Sequence, residues 1–214
     1  MRTGNNAPHA PHAPHAPGEA LHPVADSSRP VDSAPRMPRP EAGVGPAAVL
    51  VGAPGAGKST VGMALAQRLG VAFRDTDADV EATLGMSVSD VFLEHGEEYF
   101  RAAERTAVLV ALDEHAGVLA LGGGAVLDAE VRAALARHWV VYLDVSASDA
   151  ARRVGLARDR PLLVEGPRTR LAALLKARRP LYEEVAAITV DTGALGVEEV
   201  VAQILVEHAG RASR

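Results

Sequence analysis

Val49-Leu50-Val51-Gly52-Ala53-Pro54-Gly55-Ala56-Gly57-Lys58-Ser59-Thr60 is the stretch on which the reading of this chain turns. Aliphatic residues suited to a buried strand run into a glycine-rich turn, which closes on Gly-Lys-Ser-Thr where a helical pattern begins. The order G-x-x-x-x-G-K-S between strand and helix is that of a phosphate-binding P-loop. Its glycines let the backbone wrap an anion with the N–H groups inward, and the helix start adds unpaired N–H donors with a partial positive charge. Gly55, Ala56, Gly57 and Thr60 are therefore expected to cradle nucleotide phosphates. Lys58 supplies a point charge for the β- and γ-phosphates, and Ser59 offers a hydroxyl to Mg²⁺, which prefers oxygen ligands.

Outward from this loop a strand, turn and helix pattern repeats. The first helix covers 57–69, with Val61, Leu65 and Leu69 on one face and Gly70 as its stop. A short strand at 71–74 delivers Asp75-Thr76-Asp77 to its carboxyl end, and the pairs Thr76/Asp79 and Ser87/Asp90 have capping-box spacing. A long helix is predicted over 97–115. Strand 118–121 runs straight into Gly122-Gly123-Gly124, and strand 139–143 precedes a helix capped by Ser146 and Asp149. A helix over 168–185, a strand at 187–191 and a helix over 197–208 complete the pattern. Five strands alternating with helices predict a three-layer α/β domain with a five-stranded parallel sheet flanked by helices. Ligands in such a fold sit outside the carboxyl ends of the strands. The P-loop, Asp75, Asp77 and the three glycines at 122–124 all fall there, so they are expected to form one site.

Composition limits the alternatives. Hydrophobic residues make up 48% of the 214, but aromatics only 3%, so the core must be built from Val, Leu and Ala. A net charge of −5 argues against bulk binding to nucleic acid or an anionic membrane, because both need a basic surface. No cysteine is present, which excludes disulfides and thiolate metal sites. No apolar run approaches spanning length and the N-terminus shows no apolar signal core, so a cytoplasmic protein is expected, working as a monomer. Residues 1–46 hold ten of the fourteen prolines and open with Ala-Pro-His repeats. Residues 1–45 therefore read as a disordered Pro/His/Ala-rich tail, and 46–214 as the domain that carries the P-loop.

Three reaction classes use a P-loop. A GTPase needs a guanine-selective N-K-x-D segment, whereas the chain after Leu143 reads Asp144-Val145-Ser146-Ala147. A motor or transport ATPase needs an acidic residue ending its Walker B strand, but Leu119-Ala120-Leu121 ends in glycine. A small-acceptor kinase needs a cation near the γ-phosphoryl and a carboxylate to orient the acceptor hydroxyl. Asp75 and Asp77, two apart on an extended segment, can supply that carboxylate and a metal contact. Capping of the next helix is the other use of the same residue type.

Taken in order, the P-loop, Asp75-Thr76-Asp77, Phe100-Arg101-Ala102-Ala103-Glu104, Gly122-Gly123-Gly124, Arg160-Pro161-Leu162-Leu163 and Arg178-Arg179-Pro180-Leu181-Tyr182 resemble the motif series of shikimate kinases, from residue 46 to the end. The resemblance implies a P-loop kinase fold and transfer of a phosphoryl group from ATP to the 3-hydroxyl of shikimate, with Mg²⁺, in aromatic amino-acid biosynthesis. It makes Asp77 the partner and base of the acceptor hydroxyl, and puts Asp75 in the Mg²⁺ shell through water. Arg101 and Arg178 would clamp the substrate carboxylate, with Glu104 orienting Arg101. Gly122, Gly123 and Gly124 would let the backbone approach the substrate, and Arg160 would reach the phosphates from a lid. The family often has proline after the last strand as a wall of the adenine slot. Here Val197 stands in that region, with Arg153 expected as the opposite wall. Gluconate and nucleoside monophosphate kinases are the neighbouring enzyme alternatives, and a non-catalytic nucleotide-binding module is the alternative of another class.

Overall fold

The aliphatic runs at 48–51, 118–120 and 140–143 form the middle of one sheet because they are too apolar to face water on either side, and shorter, more polar strands close its edges. The structure is a computed structural model and describes residues 45–155 and 166–212. The tail up to residue 44, and Arg160 with its polar segment, lie outside the described residues. The strands are β1 (Ala48–Val51), β2 (Phe73–Asp75), β3 (Val118–Ala120), β4 (Val140–Asp144) and β5 (Ile188–Asp191). Around them lie α1 (Lys58–Leu69), α2 (Thr76–Leu84), α3 (Val88–Glu114), α4 (Ala129–Leu135), α5 (Ala147–Arg153), α6 (Pro167–Val185) and α7 (Val197–Ala212). All pairings are parallel, in the order β2-β3-β1-β4-β5. The chain leaves β1 toward β2 on one side and leaves β3 toward β4 on the other. The connections that leave the neighbouring strands β1 and β3 therefore run in opposite directions, and at such a change of direction a doubly wound sheet places its ligand crevice, at the carboxyl ends of the two strands.

Every residue of β1 and β3 is buried. The core is mostly Val, Leu and Ala, as the composition requires, with Trp139, Tyr142 and Tyr182 as its aromatic members. Val80, Val91 and Phe100 form a second, smaller cluster that holds α2 against α3. Among the described residues no helix is long and apolar enough to cross a membrane.

Three local expectations are corrected. The second strand starts at Phe73, two residues later than its apolar run, because Gly70 and Val71 are used to end α1: both backbone N–H groups donate back to Ala66, and Gly70 also to Gln67. Thr76 is not a cap. Asp75 caps α2, and Thr76 is already inside the helix. The cap at Ser87 forms as expected, accepting from Asp90 N at 3.1 Å. It starts α3 earlier than residue 97, and the two stretches are joined across a kink at Gly96, whose φ is 83°.

Candidate active site

Because β2, β3 and β1 are neighbours, their carboxyl ends bring three loops together: the P-loop after β1, the Asp75-Thr76-Asp77 turn after β2 and the glycine turn after β3. Gly57 caps α1 with a φ of 90°, a left-handed conformation that favours glycine. Lys58 follows it, and its ammonium donates to the carbonyls of Gly52 at 2.9 Å and Ala53 at 3.2 Å. One of its three N–H groups is left for a ligand. Burial pushes the Lys58 pKa down, against the opposing charges of Asp77, Asp75 and Glu104. Ala56 is buried, and its N–H donates to Ala53 O at 3.1 Å. Ser59 and Thr60 are exposed.

The two aspartates divide their roles. Asp75 Oδ1 accepts from Asp77 N at 3.1 Å and caps α2, while its Oδ2 accepts from the Ser59 hydroxyl at 2.7 Å. Asp77 lies in the first turn of α2 and not on an extended segment. Capping therefore accounts for Asp75 and leaves the Asp77 carboxylate unassigned. Burial raises the Asp77 pKa, the neighbouring Asp75 charge raises it further, and Lys58 and Arg101 act in opposition. A carboxylate so placed is a better proton acceptor than an exposed aspartate.

Arg101 and Glu104 lie one turn apart on α3, which sets their side chains together. Arg101 Nη1 donates to Glu104 Oε2 at 2.6 Å, and its Nε and Nη2 donate to Glu97 Oε1 at 3.3 and 3.2 Å. The guanidinium carbon also stands 5.8 Å from the Phe92 ring centroid and 5.3 Å from that of Phe100. Three of the five N–H groups are thus used, and one remains on each Nη, the pair that suits a carboxylate. Glu104 is only 3% exposed; burial raises its pKa, and Arg101 opposes that rise.

The three glycines make room for these side chains. A Cβ at Gly122 would lie 2.4 Å from both Asp77 Oδ1 and Glu104 Oε1, and one at Gly124 would lie 1.9 Å from Arg101 Nη1. At Gly123 it would meet the Pro54 ring of the P-loop at 3.0 Å. What approaches this turn so closely is the protein's own functional groups. The turn is fixed from below by Gly122 N, which donates to the buried Thr76 Oγ1 at 3.0 Å. From α6, Arg178 Nη1 and the Tyr182 hydroxyl both donate to Gly123 O, at 3.0 and 2.6 Å.

On the β4–β5 side, Arg153 donates to Gly55 O at 3.3 Å and to Thr192 Oγ1 at 3.1 Å, which ties α5 to the P-loop and to the residue after β5. Val197 opens α7 and is 38% exposed. Thr76 and Tyr182 are the residues whose part was not read from the sequence. Thr76 left no sequence signal, because its partner is 46 positions away. Tyr182 did leave one, since it stands four residues after Arg178 and so shares its helix face.

An anion cradle and its lysine, set against a half-buried carboxylate in a parallel α/β sheet, define a P-loop kinase acting on a small acceptor. Residues 54–209 match the family model for shikimate kinase, and the chain belongs to that family. A shikimate kinase of Frankia casuarinae is 73% identical over 152 residues, covering 71% of this chain and 68% of that one. That of Thermobifida fusca is 58% identical over 154 residues, 72% of this chain and 90% of the other. Among solved structures, the shikimate kinase of Acinetobacter baumannii in complex with shikimate superposes with a TM-score of 0.72 at 38% identity. The match covers 78% of this chain and 94% of that one.

Proposed function

We propose that this chain phosphorylates the 3-hydroxyl of shikimate with ATP, giving shikimate 3-phosphate and ADP. The observation that carries the site assignment is the convergence of Asp77 and Glu104 on the bare Cα of Gly122, with Arg101 held on Glu104. Asp77 takes the proton of the acceptor hydroxyl as its oxygen bonds to the γ-phosphorus, and the bond from that phosphorus to the β–γ bridging oxygen breaks to release ADP. Lys58 neutralises the phosphoryl oxygens through the N–H group that its contacts with the loop carbonyls leave over. Arg101 and Arg178 hold the shikimate carboxylate through the N–H groups their internal contacts leave over. The Ser59 hydroxyl and the Asp75 carboxylate, 2.7 Å apart, are hard oxygen donors that fit Mg²⁺, Asp75 through water. The ion bound there with ATP supplies charge neutralisation on the phosphates. Arg153 and Val197 are assigned to the adenine slot, and Arg160 to the phosphates.

We assign the catalytic domain to 46–214, the span that holds all of these residues, with a monomer as its working unit. ATP as co-substrate supports the cytoplasm as its compartment. A coupled assay with ATP, Mg²⁺ and a panel of acceptors tests the function: turnover on shikimate is expected, and turnover on gluconate or a nucleotide in its place refutes the assignment. Arg101→Ala should raise the KM for shikimate by about 10- to 100-fold, the loss of a charge-assisted pair of hydrogen bonds. The KM for ATP should move by less than about twofold, since that contact is remote from the nucleotide. Equal effects on both would remove Arg101 from the acceptor clamp.

A further inference from the structure

Arg178 meets the glycine turn at a carbonyl that it shares. Gly123 O has two lone pairs, and it accepts from Arg178 Nη1 at 3.0 Å and from the Tyr182 hydroxyl at 2.6 Å. The two donors are four residues apart on α6, so they reach the turn from the same face of the helix. Tyr182 is 1% exposed, and its ring is stacked on that of Tyr142 with centroids 5.1 Å apart and an interplanar angle of 19°. The Tyr142 hydroxyl donates in turn to Asp144 Oδ1 at 2.8 Å, at the end of β4. The same carboxylate accepts from Val145 N at 3.0 Å and pairs with Arg179, the residue next to Arg178. α6 is thus fastened on both sides of the Arg178 side chain, to the end of β4 through Arg179 and to the glycine turn through Tyr182.

We propose that Tyr182, seated on Tyr142 and bonded to Gly123 O, is a positioning residue that sets the Arg178 guanidinium for recognition of the acceptor carboxylate. An arginine has four rotatable side-chain bonds, and a bidentate carboxylate contact requires its planar fork in one orientation. Gly123 O can impose that orientation only if the carbonyl is itself immobile. The Tyr182 hydroxyl holds it from the core side, and Pro54 packs against the same residue from the P-loop. Burial raises the Tyr182 pKa above its ordinary value, so the hydroxyl keeps its proton and remains a donor. The inference rests on the reading of Arg178 as a shikimate contact.

The test is a double-mutant cycle on the full chain, with kcat and both KM values measured for the unaltered protein, Tyr182→Phe, Arg178→Ala and the double variant. Tyr182→Phe keeps the ring and its stacking and removes only the hydroxyl. It should raise the KM for shikimate by about 3- to 10-fold, the loss of one buried hydrogen bond, and leave the KM for ATP within about twofold. In the Arg178→Ala background the same substitution should produce no further fall in kcat/KM for shikimate. An equal fall in both backgrounds, an equal rise in both KM values, or no change overturns the inference. If Tyr182→Phe does not fold, Tyr142→Phe reads the other end of the stack; a smaller rise in the shikimate KM alone supports the inference, and no rise refutes it. Absence of shikimate turnover by the unaltered chain would overturn the proposed function and this inference with it. Turnover with equal effects in both backgrounds overturns the inference alone.

Discussion

Asp77→Asn should lower turnover on shikimate by about 10²- to 10⁴-fold, the range a positioned general base supplies. Nucleotide affinity should change by less than about twofold, because the amide keeps the shape of the side chain and the P-loop is untouched. The same variant should melt at a higher temperature than the unaltered protein at neutral pH. Burial and the charge of Asp75 raise the Asp77 pKa in the folded chain, while Lys58 and Arg101 only partly offset them. In the unfolded chain an aspartate titrates near about 3.9. A carboxyl whose folded pKa lies above its unfolded one favours folding while it is protonated, and loses that contribution as pH rises through the folded value. At neutral pH the ionised Asp77 is therefore a net burden on stability, and asparagine relieves it. Below the unfolded value the difference between the two proteins should disappear. For the same reason, the acid limb of the pH–rate profile should lie above the ordinary aspartate range. Near-normal turnover would show that Asp77 is not the base, and a lower melting temperature at neutral pH would contradict the sign of its electrostatic surroundings.

The nucleotide half of this site was legible because its chemistry is contiguous. Residues 52–60 fold on themselves, and the contacts of Lys58 reach back only five and six positions. The helix caps at Ser87 and Ser146 were legible for the same reason, since each depends on residues within a turn of itself. The choice between Asp75 and Thr76 as the cap of α2 could not be made locally. Thr76 is taken up by Gly122 N across the sheet, and that contact exists only once β2 and β3 have paired. The glycine turn was read as a place where backbone meets substrate; that side chains from α2, α3 and the P-loop also crowd it could not be read. No spacing within Gly122-Gly123-Gly124 carries that information. The Tyr142–Tyr182 stack joins residues 40 apart in sequence, and its existence follows from the placement of α6 over β4.

Gly122→Ala should cost about 10²-fold in kcat/KM for shikimate, the scale of a misplacement of about 1 Å at a reacting group. The added Cβ would stand 2.4 Å from Asp77 Oδ1 and equally close to Glu104 Oε1, and none of the three residues can yield without loss. The backbone cannot withdraw, because Gly122 N is bonded to Thr76 Oγ1 at 3.0 Å and Leu121 N to Leu50 O at 3.0 Å. Glu104 cannot swing aside without leaving Arg101, which it holds at 2.6 Å. Asp77 is too short to move its carboxylate without turning away from the place proposed for the acceptor hydroxyl. The methyl therefore has to separate two carboxylates that converge on Gly122. Overpacking should lower stability by about 1–3 kcal/mol, so the variant is to be assayed below its melting transition. ADP binding should persist, since the P-loop bonds lie outside this contact. If the variant kept its shikimate kcat/KM while melting lower, Asp77 and Glu104 would be free to rearrange, and the close approach at Gly122 would matter to packing alone.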